Sequence, residues 1–304
     1  MENSKEEPMH EEDAKDKPIE EEKKSNLPAP KEAGLRFNIR KDQLIDILNA
    51  IADCKKNIIK FPSNSLYLFI NPDLMQFQFP SEEGDKIICS LSFPISQIES
   101  QDFKLSIPLH ILLPDISKFM DTLDRVAKSF SDPIMVKLGL QKLDDGKHQE
   151  ALLFKNPTNA ESKHLYYNVS LMSSALSNYI ETDQDRICYT LNKSKMADLE
   201  YVIDMVPILN CKDIGVCGDI STISMYQNYE GQLCQGVIDN LTSKMNTNER
   251  ICLGVQCSEL SKVIKMATRS NSDVKLDITT NLLMFEFIKN KLTAKIIVKR
   301  HVSI

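Results

Sequence analysis

One pattern constrains the fold of this chain more than any other feature. A short strand, an amphipathic helix and three further strands recur four times between residues 35 and 304. The helices are predicted at 41–53, 110–127, 193–206 and 258–268. In the first of them the spacing of a helix with one apolar face is followed by Leu44, Ile45, Leu48 and Ile51. The strands after each helix alternate or are continuously apolar, with turn residues between them. The repeat predicts the α+β class, with two domains that each contain two units and antiparallel sheets.

The charge of the chain is concentrated near its N-terminus. Residues 1–34 contain eleven acidic residues and six lysines, whereas residues 35–304 contain 31 basic and 32 acidic residues. Because a segment with so few apolar residues cannot offset the entropy lost on ordering, 1–34 is predicted to be a disordered acidic tail. The first domain is predicted at 35–171 and the second at 186–304. Polar residues separated by single apolar ones predict an interdomain connector at 172–185.

The distribution of apolar residues bears on the cellular compartment. No stretch reaches the roughly 18 apolar residues of a membrane-spanning helix, and the first residues lack the basic-then-apolar order of a signal peptide. The chain is therefore predicted to be intracellular and free of membrane contact. Its eight cysteines are accordingly expected to be reduced side chains buried in the core.

The sequence offers little of the chemistry that an enzyme needs. Its nine glycines are scattered, so no glycine-rich loop precedes a helix to hold a phosphate. Its five histidines are isolated, and the spacings of Cys211 to Cys217 and of Cys252 to Cys257 are not those of a zinc knuckle, which favours core packing over metal binding. Pairs of adjacent carboxylates fall in predicted turns. We therefore predict no catalytic activity, no metal and no cofactor.

Cations on two predicted helices form the remaining candidate for a functional surface. Lys262, Lys265 and Arg269 recur at helical spacing opposite the apolar residues of the fourth helix. The second helix adds Lys118, Arg125 and Lys128. Such a stripe suits contact with nucleic-acid phosphates. A helix face that is merely solvated has the same pattern. Spacing alone leaves both interpretations open.

Short segments in three places add to the repeat. They are Leu260-Ser-Lys-Val-Ile-Lys-Met-Ala-Thr268 with the strands after it, Ile116-Ser-Lys-Phe-Met120, and the pair 167–171 and 186–191 around a polar stretch. Together with the fourfold repeat they resemble the sliding clamps of the proliferating cell nuclear antigen family. They are similar to the last helix and closing strands of a subunit, to a helix of its first domain, and to the strands that flank its connector. The resemblance lies in pattern more than in identity, as in a divergent clamp, and a large DNA virus is the suggested source.

The resemblance implies a two-domain subunit with the sliding-clamp fold that forms a closed homotrimer, its helices lining a pore around double-stranded DNA. Such a ring is a processivity factor that tethers DNA polymerase, in the nucleus or in a viral replication compartment. The first helix departs from the family, because it presents Asp42, Asp46 and Asp53 where the family favours lysines. The residues implied to contact DNA are Lys118, Arg125, Lys193, Lys195, Lys262, Lys265 and Arg269.

The resemblance also implies a docking surface for DNA polymerase and other replication proteins, which would bind through short peptide motifs. An apolar pocket beside a chain end suits the capture of such a peptide. The implied contact residues are Leu74 and Met75 in a turn, Tyr179 and Ile180 in the connector, and Ile297 and Val298 at the end of the last strand.

A second interpretation keeps the fold but not the ring. The chain would then be a monomeric or heteromeric clamp-like scaffold that binds a polymerase or a transcription factor and holds DNA by electrostatics alone. Strand edges distinguish the two interpretations. A ring needs open edges at 165–171 and in the second domain, whereas a monomer must protect those edges.

Overall fold

Four helices and three antiparallel sheets make up the described part of the chain. The computed structural model describes residues 34–57, 64–79, 87–98, 103–156, 164–172, 185–205, 212–229, 232–247, 249–270 and 272–301. The predicted tail, apart from Gly34, and the predicted connector, apart from its two end residues, lie outside these ranges. Within them, no helix has both the length and the apolar character needed to cross a membrane.

The elements follow the predicted order. The first half of the chain forms β1 (Leu35–Ile39), α1 (Lys41–Asn57), β2 (Leu66–Ile70), β3 (Leu74–Gln78), β4 (Ile87–Pro94), β5 (Lys104–Leu105), β6 (Leu109–Leu113), α2 (Ile116–Ser129), β7 (Ile134–Lys142), β8 (His148–Lys155), β9 (His164–Asn168) and β10 (Ser170–Leu171). The second half forms β11 (Arg186–Leu191), α3 (Lys193–Met205), β12 (Asp213–Gly218), β13 (Ile223–Tyr229), β14 (Gln232–Ile238), β15 (Ser243–Met245), β16 (Ile251–Gln256), α4 (Cys257–Thr268), β17 (Val274–Thr279), β18 (Leu282–Lys289) and β19 (Leu292–Lys299). The predicted α+β class is confirmed.

The second unit differs from its prediction at the helix start. The helix was expected from residue 110, but α2 begins at Ile116 and the residues before it form β6. Leu109, Ile111 and Leu113 are buried while the residues between them are half-buried, which is the two-residue period of a strand. Asp115 then caps α2, its carboxylate accepting a hydrogen bond from the Lys118 N–H at 3.0 Å.

One sheet runs through both halves of the chain. Its strand order is β10-β6-β2-β3-β4-β19-β18-β17-β11-β15, and β4 from the first half pairs antiparallel with β19 from the second. Leu91 lies opposite Ala294, and Cys89 lies opposite Ile296. The five-stranded sheet β5-β1-β7-β8-β9 belongs to the first half, and the four-stranded sheet β14-β13-β12-β16 belongs to the second.

The helices pack in pairs, α1 with α2 and α3 with α4. The apolar face of α1 buries Leu44, Ile47 and Ile51, and α4 buries Leu260 and Ile264 among its core residues. Helices α1 and α4 both contact the large sheet, α1 at β4 and β19 and α4 at β18 and β19. Their charged sides therefore point away from the sheet.

A glycine sets the distance between α3 and the edge strand β14. A Cβ atom at Gly236 would lie 2.5 Å from Cγ1 of Val202, well inside van der Waals contact. The missing side chain lets α3 lie directly on the strand. The position of β14 thus depends on a residue that no pattern of apolar spacing identifies.

The cysteines correct one expectation. Cys217 and Cys252 form a disulfide, so the prediction that all cysteines are reduced is wrong for this pair. The two residues lie directly opposite each other on the neighbouring strands β12 and β16, with their Cα atoms 4.1 Å apart. Free thiols remain at Cys54, Cys89, Cys188, Cys234 and Cys257, and Cys211 lies outside the described residues.

Candidate functional surfaces

The cations of α4 lie where the helical spacing placed them, but two of them share their charge with carboxylates. Lys262 Nζ is 3.0 Å from Glu259 Oε1 one turn earlier. Lys265 Nζ is 2.8 Å from Asp204 Oδ1, which belongs to α3. Arg269 is exposed at the C-cap of the helix. The predicted stripe exists, although part of its charge is already balanced.

The first turn of α3 contains two predicted DNA contacts, and one of them, Lys195, already binds groups of the same chain. Lys195 Nζ donates to the main-chain oxygen of Asp239 at 2.9 Å and lies 3.8 Å from Asp198. The main-chain N–H of Lys195 donates a hydrogen bond to Asn192 Oδ1 at 3.0 Å. Lys193 opens the helix and is exposed. Of the two predicted contacts on α3, Lys193 is therefore the more accessible to a ligand.

Helix α2 forms one wall of a groove of about 560 Å³ whose other wall is β9. Lys118 and Arg125 line it, together with Asp121 and Tyr166. Lys118 Nζ lies 3.8 Å from Asp115, and the hydrogen bond from the Lys118 main-chain N–H holds the pKa of that carboxyl below its usual value. The predicted cations on α2 thus border an open strand as well as solvent.

The acidic side of α1 has partners that the sequence did not predict. Lys291 Nζ lies 2.8 Å from Asp46 and 3.8 Å from Asp42, and Lys289 Nζ lies 2.9 Å from Asp53. Lys289 is the last residue of β18, and Lys291 lies in the turn of the β18–β19 hairpin. The hydrogen bond with Asp46 raises the pKa of Lys291. The acidic side of α1 is therefore less negative than its three aspartates alone would make it.

Four of the six residues predicted for peptide binding lie in the large sheet, two on each of its faces. Met75 and Val298 belong to the hydrophobic core, which corrects the prediction that they contact a partner. Leu74 and Ile297 are their chain neighbours and point to the opposite face, because successive side chains alternate across a strand. On that face Leu74 is half-buried, whereas Ile297, which lies opposite Ile88, is only 6% exposed. Tyr179 and Ile180 lie outside the described residues.

Among the strands at the ends of the sheets, β9 and β14 combine exposed apolar or aromatic side chains with a lack of protecting residues. Strand β9 is the last strand of the five-stranded sheet, and β14 is the last of the four-stranded one. Neither contains Lys, Arg, Asp, Glu or Pro, the residues that proteins place on edges to prevent pairing. Tyr166 on β9 is exposed, as are Leu233 and Val237 on β14, the last two at 62% and 54%. Both edges are suited to pairing with another strand.

No family model and no curated protein sequence matches this chain. Its fold is nevertheless that of solved structures from two distant organisms. The proliferating cellular nuclear antigen of Entamoeba histolytica is 13% identical, with a TM-score of 0.55, and the match covers 89% of this chain and 99% of that one. The PCNA of Thermococcus kodakaraensis is 9% identical, with a TM-score of 0.56 over 88% and 99% of the two chains. The predicted resemblance is confirmed at the level of fold: this chain has the fold of the PCNA sliding clamps.

Proposed function

We propose that this chain is the subunit of a DNA sliding clamp, a homotrimeric ring that encircles duplex DNA and tethers replication proteins to it. The observation that carries the proposal is the pair of unprotected edges, β9 in the first half of the chain and β14 in the second. A head-to-tail contact between different edges closes into a ring when the rotation between copies allows it. Tyr166 on one edge and Leu233 and Val237 on the other would become buried in that contact.

The charges on the helices favour encirclement over purely electrostatic holding. A protein that retains DNA by counterion release alone needs many free cations near the phosphates. Here Lys262 and Lys265 are paired with carboxylates of the same chain, and Lys195 is bonded to a main-chain oxygen. A closed ring needs no strong local contact, since topology prevents escape. The monomeric or heteromeric scaffold therefore remains the weaker candidate.

The finer parts of the proposal follow from the same function. The halves 35–171 and 186–304 act as the two clamp domains, with 172–185 as their connector. The ring has no catalytic activity, and it works in the nucleus or in a viral replication compartment. Partner peptides dock on the outer face of the large sheet, near Leu74 and Ile297 and the connector residues Tyr179 and Ile180.

Light scattering of the purified protein tests the ring. The expected mass is three times the 34.6 kDa of the chain, and a monomer at micromolar concentration would contradict the proposal. Val237→Glu places a charge on the proposed interface and should produce monomers. Ile220→Glu is the matched control, because Ile220 is 71% exposed and belongs to the β12–β13 turn instead of β14. If both variants stay trimeric, β14 is not the contact strand.

A further inference from the structure

The disulfide lies on the face of the four-stranded sheet that α3 does not cover. Along β14, Gly236 faces Val202 of α3, whereas Leu233 and Val237 face outward. Strand register puts Ser224 beside Val237 and Cys217 beside Ser224, so the disulfide belongs to the outward face. Its position there makes it reachable without opening the core.

The two cysteines of the disulfide differ in solvent exposure. Cys217 is 2% exposed, whereas Cys252 is exposed. The thiols of Cys54 and Cys89 are a contrasting pair: their sulfur atoms lie only 3.6 Å apart, but both residues are buried between α1 and β4. Because thiol–disulfide exchange needs access to a sulfur atom, the first pair can react and the second is shielded.

A cation lies on the same face of the sheet as the disulfide. Arg250, two residues before Cys252, donates from Nη2 to Ser224 Oγ at 2.7 Å. Ser224 is directly opposite Cys217 on β13. The arginine side chain therefore extends from the start of β16 across β12 to β13, along the same part of the sheet as the two sulfurs. Positive charge next to a cysteine favours the thiolate, which is the reactive form in exchange.

We propose that Cys217 and Cys252 form a reversible redox site that exchanges with small thiols and disulfides of the glutathione class, entered at the Cys252 sulfur. In oxidation, the Cys252 thiolate attacks glutathione disulfide, forming a protein–glutathione bond and releasing one glutathione. Cys217 then loses its proton and attacks Cys252 Sγ, which forms the internal disulfide and releases the second glutathione. Two protein thiols and one glutathione disulfide thus become one protein disulfide and two glutathione molecules. Reduction by glutathione reverses both steps.

Reduction should loosen β16 in particular. This strand is at the end of the four-stranded sheet, with β12 as its only ladder partner in that sheet. On its other side Gly254 accepts one hydrogen bond, from the His301 N–H at 2.8 Å. The disulfide adds a covalent connection to β12 near the start of this strand, at its second residue.

The test uses the full-length protein in glutathione buffers of graded reduced-to-oxidised ratio, followed by acid quenching, alkylation and peptide mapping. We expect a Cys217–Cys252 linked peptide that appears and disappears reversibly without unfolding. In Cys217→Ser, glutathione should become attached to Cys252. Amide exchange in β16 should be roughly tenfold faster in the reduced protein. Cys234→Ser is the matched control, because Cys234 is a half-buried free cysteine of the same sheet and its loss should leave the transition unchanged.

Three results would overturn the proposal. One is a wild-type map in which both cysteines remain free in oxidised glutathione. Another is a linked peptide that resists reduction until denaturant is added, as expected of a fixed structural disulfide. The third is a Cys217→Ser protein whose Cys252 takes up no glutathione. None of these readouts depends on DNA or on ring assembly, so the redox site and the proposed function can fail separately.

Discussion

The carboxylates beside the α4 lysines provide a sensitive test of DNA contact. If α4 faces phosphates, Lys262 and Lys265 must share their charge between DNA and the chain's own Glu259 and Asp204. Replacing an acid by its amide removes the competitor and leaves the lysine in place. Asp204→Asn should therefore strengthen DNA binding, whereas Lys265→Gln should weaken it.

The size of both effects can be worked out from the contacts. An exposed ion pair contributes about 0.2–1 kcal/mol, so releasing one lysine should tighten binding by a factor of roughly 1.4 to 5 per contact at low salt. Each lost phosphate contact lowers the slope of log affinity against log salt by about 0.9. Over a change from 50 to 200 mM salt, that slope corresponds to about threefold in affinity per contact.

Fluorescence anisotropy of a labelled duplex, measured over a salt series, gives both quantities. Glu286→Gln is the matched control: it frees Lys275 from a carboxylate 2.9 Å away, but on the sheet face opposite the helices. That variant should bind DNA like the parent. The reasoning is refuted if the double variant Lys262→Gln, Lys265→Gln keeps the affinity and the salt slope of the parent, or if Glu286→Gln tightens binding as much as Asp204→Asn.

Three further predictions concern stability. Gly236→Ala should destabilise the chain by about 1–3 kcal/mol through the clash with Val202, and adding Val202→Ala should recover part of that loss in urea unfolding; an unchanged midpoint in the single variant would contradict the close approach. Under oxidising conditions, Cys252→Ser should lower the free energy of unfolding by about 3–4 kcal/mol, because the disulfide closes a loop with a sequence separation of 35 residues; equal stability of the two oxidised proteins would argue against the cross-link. Asp115→Ala should cost about 1 kcal/mol at neutral pH through loss of the α2 cap. Folding lowers the pKa of Asp115, so its ionised carboxylate stabilises the protein above the pKa of the unfolded chain. That stabilisation is lost as the pH falls through the pKa of the folded state. The difference in unfolding free energy between the parent and Asp115→Ala should therefore narrow in acid.

The periodicity of the sequence was enough to predict the helices and the class of the fold. The start of α2 was missed because the residues of β6 form a short apolar run, which spacing alone cannot assign to helix or strand. Burial of alternate residues, Leu109, Ile111 and Leu113, identifies it as a strand. The proline that follows, Pro114, also precedes the helix, which starts at Ile116.

Strand geometry also limits what could be inferred about the docking surface. Leu74 and Met75 are adjacent in one strand, as are Ile297 and Val298, so only one member of each pair can face a partner. The alternation was available in the sequence, but which face is the core depends on packing. The burial of Met75 and Val298 settles that question.

The remaining features join residues that are far apart in sequence. The ion pairs of Lys265 with Asp204 and of Lys291 with Asp46 depend on how α3 packs on α4 and where the last hairpin meets α1. The Cys217–Cys252 disulfide depends on the register of β12 and β16. Local spacing carries no information about such contacts. Sequence analysis could therefore identify the cations of α4 but not Asp204, the distant carboxylate that balances Lys265.

Electron microscopy of the purified full-length protein tests the central claim most directly. If β9 of one copy pairs with β14 of the next, class averages should contain closed rings of three subunits, with a central hole wide enough for duplex DNA. The Ile220→Glu protein should form the same rings, and Val237→Glu should give separate subunits. A parent protein that appears only as single subunits, or as open chains of variable length, would contradict the account.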